Sequence, residues 1–264
     1  MTAVRSSEAR VALITGAGSD RGIGFAAARA LAEAGHRLGI AATSDRIEER
    51  AAELRALGHE VVTVIADLTD AAEADRAVAE VLEAFGRLDV LVNNAGMTSV
   101  SDPEQPAGIR DISNAQWDAA LRRNLDTMLF VTRAATPPLV RSGAGRIINV
   151  ASLSGPVTAY AGDIAYHAAK AGAVGLTRAA AIDLAEQGVT VNAVAPGWID
   201  TGSSTPHELR MGDATPVGRS GRPEEVASAI AWLARADASY VTGQVIVVDG
   251  GNSIMEDRGG APLE

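Results

Sequence analysis

The sequence predicts a doubly wound α/β domain: a seven-stranded parallel sheet with helices on both faces. Three observations predict it. From Val11 onward, short β-rich apolar runs alternate with longer Ala/Leu/Glu/Arg stretches of helical period. Most of those runs are apolar on both faces, as strands covered by helices on each side must be. The first run passes into the first helical stretch through a glycine-rich turn.

In chain order, "VALIT" (Val11 to Thr15) supplies the first strand, and the stretch from Gly24 to Ala34 the first helix. "RLGIAA" (Arg37 to Ala42) and "EVVTVIA" (Glu60 to Ala66) flank a helix from Ile47 to Leu57, and Ala71 to Phe85 leads into "LDVLVN" (Leu88 to Asn93). These helices have the length of right-handed crossovers between parallel strands. Beyond them come a long helical stretch around Ala115 to Val140, the strand "RIINV" (Arg146 to Val150), a helix over Ile164 to Gln187, and the strands "VTVNAV" (Val189 to Val194) and "QVIVVD" (Gln244 to Asp249).

No linker, repeat or composition break divides the chain, so residues 10–251 are predicted to form one domain, with a short extension at 1–9 and a tail at 252–264. Two irregular stretches, 98–116 and 202–222, follow strand C-terminal ends, the edge where open α/β sheets hold ligands. The chain has 264 residues, 23 basic against 33 acidic, for a net charge of −10. That balance offers no general attraction to nucleic acid or to an anionic membrane. There is no cysteine, which excludes disulfides and thiolate metal sites and fits a cytoplasmic protein. No apolar run reaches the roughly 18 residues of a membrane span. The four histidines, His36, His59, His167 and His207, lack metal-ligand spacing, and no metal is expected.

"TGAGSDRGIG" (Thr15 to Gly24) carries Gly16, Gly18, Gly22 and Gly24 between strand and helix. Glycines there let backbone N–H groups and a helix N-terminus approach a phosphate closely, so the context points to a dinucleotide. After the second strand, an acid would take ribose hydroxyls and a base would accommodate a 2′-phosphate. Asp45 and Arg46 are both candidates, and Asp45 is equally suited to cap the next helix. The small residues of "AATS" leave room for a phosphate, and Arg21 within the turn supplies charge, so NADP(H) is favoured over NAD(H).

Further strings follow in order: "NNAG" (Asn93 to Gly96), "ASLSG" (Ala151 to Gly155), "YHAAK" (Tyr166 to Lys170), "PGWIDT" (Pro196 to Thr201) and "VDGG" (Val248 to Gly251). Together with the glycine turn they resemble the short-chain dehydrogenase/reductase family, in particular its 3-oxoacyl-carrier-protein-reductase-like members, over about Arg10 to Gly251. The resemblance implies a Rossmann-type domain and a homotetramer. It implies a catalytic set of Ser152, Tyr166 and Lys170, with Asn124 of "RRNLD" as fourth member. For the cofactor it implies Gly16, Gly22 and Gly24 at the pyrophosphate turn and Asp67 beside the adenine, with Gly18, Arg21, Ile23, Ser44 and Leu68 as further candidates for cofactor contact. Asn93, Ala95 and Gly96 would lie at the centre, with Tyr166, Lys170, Pro196, Gly197, Ile199 and Thr201 toward the nicotinamide. Two features depart from the family's pattern: Gly16 and Gly22 are more widely spaced than usual, and the loop before Trp117 is longer. Ser154 is near as well, but Ser152 has the usual spacing before Gly155.

The chemistry agrees with the residue types. A free phenol ionises near pH ~10 and is a sluggish base at neutrality. A cation one helical turn away lowers that by about one to three units, and Asp163 is a candidate N-cap that puts Tyr166 in the first helical turn, where the dipole favours an anion. Tyr166 is therefore expected to exchange the proton while hydride passes between nicotinamide and a carbonyl or alcohol carbon. Carrier proteins are typically acidic, so an acidic enzyme favours a small alcohol/ketone pair over a carrier-bound acyl group. An NAD-dependent dehydrogenase of a sugar, polyol or hydroxylated ring is the alternative, and a non-catalytic nucleotide-binding scaffold a third. Arg122 and Arg123 read as solvated helix charges. Trp117, Trp198 and Trp232 read as core residues, Trp198 equally as a pocket wall.

Overall fold

A computed structural model describes residues 9–96 and 105–256. Seven parallel strands form one sheet in the order β3-β2-β1-β4-β5-β6-β7. They are β1 (Val11–Thr15), β2 (Arg37–Ala42), β3 (Val61–Ile65), β4 (Val90–Asn93), β5 (Arg146–Val150), β6 (Thr190–Pro196) and β7 (Val245–Val248). The order reverses between β1 and β4, which opens a crevice at their C-terminal ends. The helices are α1 (Ile23–Glu33), α2 (Arg46–Ala56), α3 (Ala71–Phe85), α4 (Asn114–Leu121), α5 (Thr127–Ser142), α6 (Ile164–Leu184), α7 (Pro206–Asp213) and α8 (Pro223–Ala234).

Strand periodicity divides the core. Ala12 and Ile14 of β1 face α1, α2 and α8 with Phe25, Leu31, Leu54 and Ile230. Val11 and Leu13 face α3, α5 and α6 with Val78, Val81, Leu139 and Leu184. Each large side chain so buried contributes about 1.5–3 kcal/mol. The alternation fixes register, because a one-residue slip would exchange the two faces.

Three features differ from the sequence reading. The stretch around Ala115 to Val140 is not one helix: α4 and α5 are joined by a π-helical turn, Arg122–Asp126, which carries Asn124. The irregular segment 202–222 contains α7, which starts with a capping box between Thr205 and Glu208 and has Pro206 at its first position. Trp232 is 42% exposed rather than core, because it lies off the buried stripe of Val226, Ile230, Leu233 and Ala234 on α8. Of the segments set apart by sequence, residues 1–8, 98–104 and 257–264 lie outside the described residues.

The start of α8 makes a pH-dependent contribution. Glu225 accepts hydrogen bonds from Arg219 Nη1 and Nη2 (2.9 and 2.7 Å) and from the Arg222 N–H (2.7 Å). The Arg219 contacts, then the Arg222 N–H, pull its carboxyl down to about 2. A depressed carboxylate stabilises the fold above its unfolded pKa and loses that contribution as pH falls toward the folded value. Glu225→Gln is therefore expected to cost about 1 kcal/mol at neutral pH, after allowance for solvent screening. The gap to wild type should narrow below about pH 4 and close near the folded value of about 2, as thermal melts at neutral pH and at low pH would reveal.

Candidate active site

At the sheet's reversal point a cleft of about 730 Å³ adjoins one of about 370 Å³, the two sharing Gly16, Ser19, Asn94 and Gly96. The larger half is lined by Ser152, Tyr166, Lys170, Pro196, Gly197, Trp198, Ile199 and Thr201, together with Gly22 and Ile23. The smaller half is lined by Gly18, Ser44, Arg46, Asp67, Leu68, Ala95 and Arg123. The glycine turn thus sits at the waist of an extended groove.

Tyr166, Lys170 and Ser152 are buried (7%, 4% and 8% exposed), and Asn124 fully so. The first two occupy successive turns of α6, with Lys170 Nζ 5.6 Å from the Tyr166 ring centroid. Lys170 Nζ also donates to Val150 O (3.1 Å), which ties α6 to the end of β5. Ser152 Oγ accepts from Ser154 N–H (3.1 Å), and both serines line the cleft. The loop bearing Ser152 reaches α6 through Gly155, whose φ is +99°. Asn124 Nδ2 donates to Ala120 O (3.2 Å) from the π-helical turn. At Gly96 a Cβ would sit 3.0 Å from Asn124 Oδ1 and 3.6 Å from Lys170 Nζ, so both side chains converge on one point. Widened helical turns of this kind recur at functional sites.

Asp163 caps α6, accepting from Tyr166 N–H (3.4 Å) and from Tyr160 O–H (3.3 Å). It is 7% exposed. Burial raises its carboxyl above the usual aspartate value, against the opposing pull of those two donors. His167 Nδ1 meets Asp163 O (2.5 Å) while its Nε2 accepts from Tyr160 N–H (3.1 Å). That arrangement fits the Nδ1–H tautomer.

Several expected residues lie elsewhere. Asn93 was expected at the centre of the cofactor site, but its side chain turns into the sheet and donates to Thr132 Oγ1 and Asn149 Oδ1 (both 2.9 Å). Its neighbour Asn94 lines both halves of the cleft and braces the turn by donating to Thr15 O and Gly16 O (3.1 and 3.0 Å). Arg21 reaches away from Ser44, to Asp200 Oδ1 (2.8 Å). Among the described residues, the cations lining the smaller half are Arg46 and Arg123. Arg46 Nε donates to Ser44 Oγ (3.4 Å) at the start of α2, and Asp45 precedes that helix without a side-chain capping bond. Gly24 lies beneath the turn, where a Cβ would be 2.5 Å from Gly16 O. Trp198 is a pocket wall, with its ring 6.4 Å from that of Tyr160.

The residues fit a dinucleotide. Gly16 has φ +69°, and a Cβ there would stand 2.8 Å from Ala95 Cα and Asn94 Nδ2, so the waist admits no side chain. Gly22 stands at the N-cap of α1 and offers no side-chain cap, which leaves the helix start open to an anion. Such a groove across the reversal point of a parallel sheet is where open α/β folds hold nucleotides.

A family profile described as Enoyl-(Acyl carrier protein) reductase matches residues 16–253. The chain is 42% identical over 250 residues to cis-4-hydroxycyclohexanecarboxylate dehydrogenase of Sinomonas cyclohexanicum, covering 92% of this chain and 96% of that protein. It is 39% identical over 246 residues to 3-oxoacyl-[acyl-carrier-protein] reductase FabG of Staphylococcus aureus, covering 91% and 96%. A crystal structure of a dehydrogenase/reductase from Sinorhizobium meliloti 1021 superposes with a TM-score of 0.85 at 32% identity, covering 93% and 96%. The chain belongs to the short-chain dehydrogenase/reductase family and is an oxidoreductase acting on alcohol or keto groups. The family uses NAD(P) nucleotides. Among the described residues, no helix is long and apolar enough to cross a membrane.

Proposed function

We propose that the enzyme is an NADP(H)-dependent reductase of a small ketone, reversible toward the secondary alcohol, with Tyr166 as general acid and base. The observation that carries this reading is that Tyr166, Lys170 and Ser152 line one cleft, with Asn124 beside Lys170 at Gly96. When bound, the nicotinamide supplies or accepts hydride.

In this reading Tyr166 Oη gives its proton to the substrate oxygen during reduction and takes it back during oxidation. The Lys170 ammonium, 5.6 Å from the ring, favours the phenolate that forms. The hydroxyl of Ser152 donates to the oxygen as negative charge develops on it. Asn124, held at the π-helical turn beside Lys170, orients a proton path to solvent. Gly16, Gly18, Gly22, Ile23 and Gly24 would form the pyrophosphate waist. Ser44, Asp67, Leu68 and Ala95 would receive the adenosine, and Pro196, Gly197, Ile199 and Thr201 the nicotinamide.

The preference for NADP(H) rests on Arg46 and Ser44 at the rim of the smaller half, with Arg21 engaged by Asp200. Arg46→Ala is expected to lower the ratio of NADP(H) to NAD(H) affinity about tenfold or more, since a hydrogen bond to a charged group is worth about 1.5–3 kcal/mol. Arg21→Ala should change both affinities alike. Fluorescence titration measures all four constants, and an unchanged ratio in Arg46→Ala would favour the second reading. That reading is an NAD-dependent dehydrogenase of a sugar, polyol or hydroxylated ring, and the hydroxycyclohexanecarboxylate in one relative's name favours the last of these.

A homotetramer fits the apolar side chains left in water: Ile182 of α6 is 78% exposed and Leu129 of α5 41%, and Val247 on the edge strand β7 39%. A cytoplasmic location accords with the absence of cysteine.

A further inference from the structure

The substrate end of the cleft has an uneven charge. Among the described residues that line it, the charged ones are Lys170, Asp163 and Glu208. Glu208 is committed to its own helix, where Oε2 accepts from Thr205 N–H (2.6 Å). Asp163 is different: it is buried, it stands one turn before Tyr166, and its two hydrogen bonds are both long, at 3.4 and 3.3 Å. An aspartate has about four lone-pair directions for donors, so this one retains accepting capacity in the wall of the cleft that Tyr166 also lines. It also forms the partition to a second cavity of about 210 Å³, lined by Ala107, Ile112, Ala119 and Arg123. Around it the walls are Leu153, Tyr160, Trp198 and Met211, which suit a ring or a short carbon skeleton.

We propose that Asp163 selects substrates bearing a second hydrogen-bond donor next to the reacting carbon, so that the preferred class is uncharged vicinal diols and their hydroxyketones. This rests on the reading of Tyr166 given above. The Asp163 carboxylate accepts from the neighbouring hydroxyl while the reacting oxygen meets Tyr166 and Ser152. A substrate carboxylate at the same place meets a buried like charge and is rejected. A plain ketone leaves the acceptor without a donor and gains nothing from it.

The test compares wild type, Asp163→Asn and Asp163→Ala on vicinal cyclohexanediol and on cyclohexanol, each with both cofactors. Asparagine caps a helix as well as aspartate does, so Asp163→Asn keeps the fold while weakening the acceptor. Wild type should prefer the diol in kcat/KM. In Asp163→Asn that preference should fall about tenfold or more, chiefly through KM for the diol, as expected for a charge-assisted hydrogen bond. Equal losses on both alcohols in either variant, or a preference that survives Asp163→Asn, would overturn the proposal and leave Asp163 a helix cap alone. Wild type inactive on both alcohols with both cofactors would instead overturn the reading of Tyr166 on which the proposal stands.

Discussion

Tyr166→Phe is expected to lower kcat by about a hundredfold to ten-thousandfold, the range for removing a positioned proton donor. The change deletes one oxygen atom and leaves the ring, which is 7% exposed and packed in the wall of the cleft. Stability should barely move. Dinucleotide affinity should change far less than kcat, because the waist at Gly16 and the pocket at Ser44 and Asp67 are untouched. The comparison with Lys170→Ala separates proton transfer from charge: there, both turnover and cofactor binding should suffer, since Nζ lies against Val150 O and beside Gly96 at the groove's centre. Stopped-flow turnover with cofactor titration on each variant measures this, and a Tyr166→Phe enzyme within a few-fold of wild type would remove the phenol from the mechanism.

Gly155→Ala should give the second large effect, this time through the backbone. With φ at +99°, the residue sits where L side chains are strained by about 1–3 kcal/mol. A Cβ would also stand 2.3 Å from His167 O and 3.2 Å from Ala171 N, main-chain atoms of α6 that cannot turn aside. Overpacking of that kind adds about 1–3 kcal/mol. The melting temperature is expected to drop by about 5–15 °C, and kcat by at least tenfold at temperatures where the fold persists, because relief of the clash must move the loop that carries Ser152. Gly58→Ala is the control. It shares a positive φ (+89°) but has nothing within 4 Å of its Cβ, so it should carry backbone strain alone and leave kcat intact.

The sheet was legible because β-branched and apolar runs of strand length recur between helical periods, and the parallel arrangement follows from their being apolar on both faces. The Asp163 cap was legible too, since a short acidic side chain ahead of an alanine-rich stretch has few other uses. The choice between Asn93 and Asn94 was not. Asn93 ends β4 and Asn94 opens the loop beyond it, and which of the two meets the cleft depends on β4 pairing with both β1 and β5, a long-range fact. Arg21 escaped for a similar reason. The wide spacing of Gly16 and Gly22 carries it over to Asp200, which is 179 residues away in sequence. α7 had left a signal, the "TPHE" stretch with its cap and proline, which composition masked as a loop.

The π-helical turn between α4 and α5 packs an additional residue into one revolution. It separates α5, which carries a buried stripe of Met128, Val131, Ala135 and Leu139, from α4, none of whose residues is buried. Loss of any one residue between 122 and 126 would let the segment relax into a regular rod. The amide of Asn124 would then rotate away from its ammonium neighbour, and every contact of α5 with α3 would shift by about a quarter-turn or more. The region is thereby closed to a change of length.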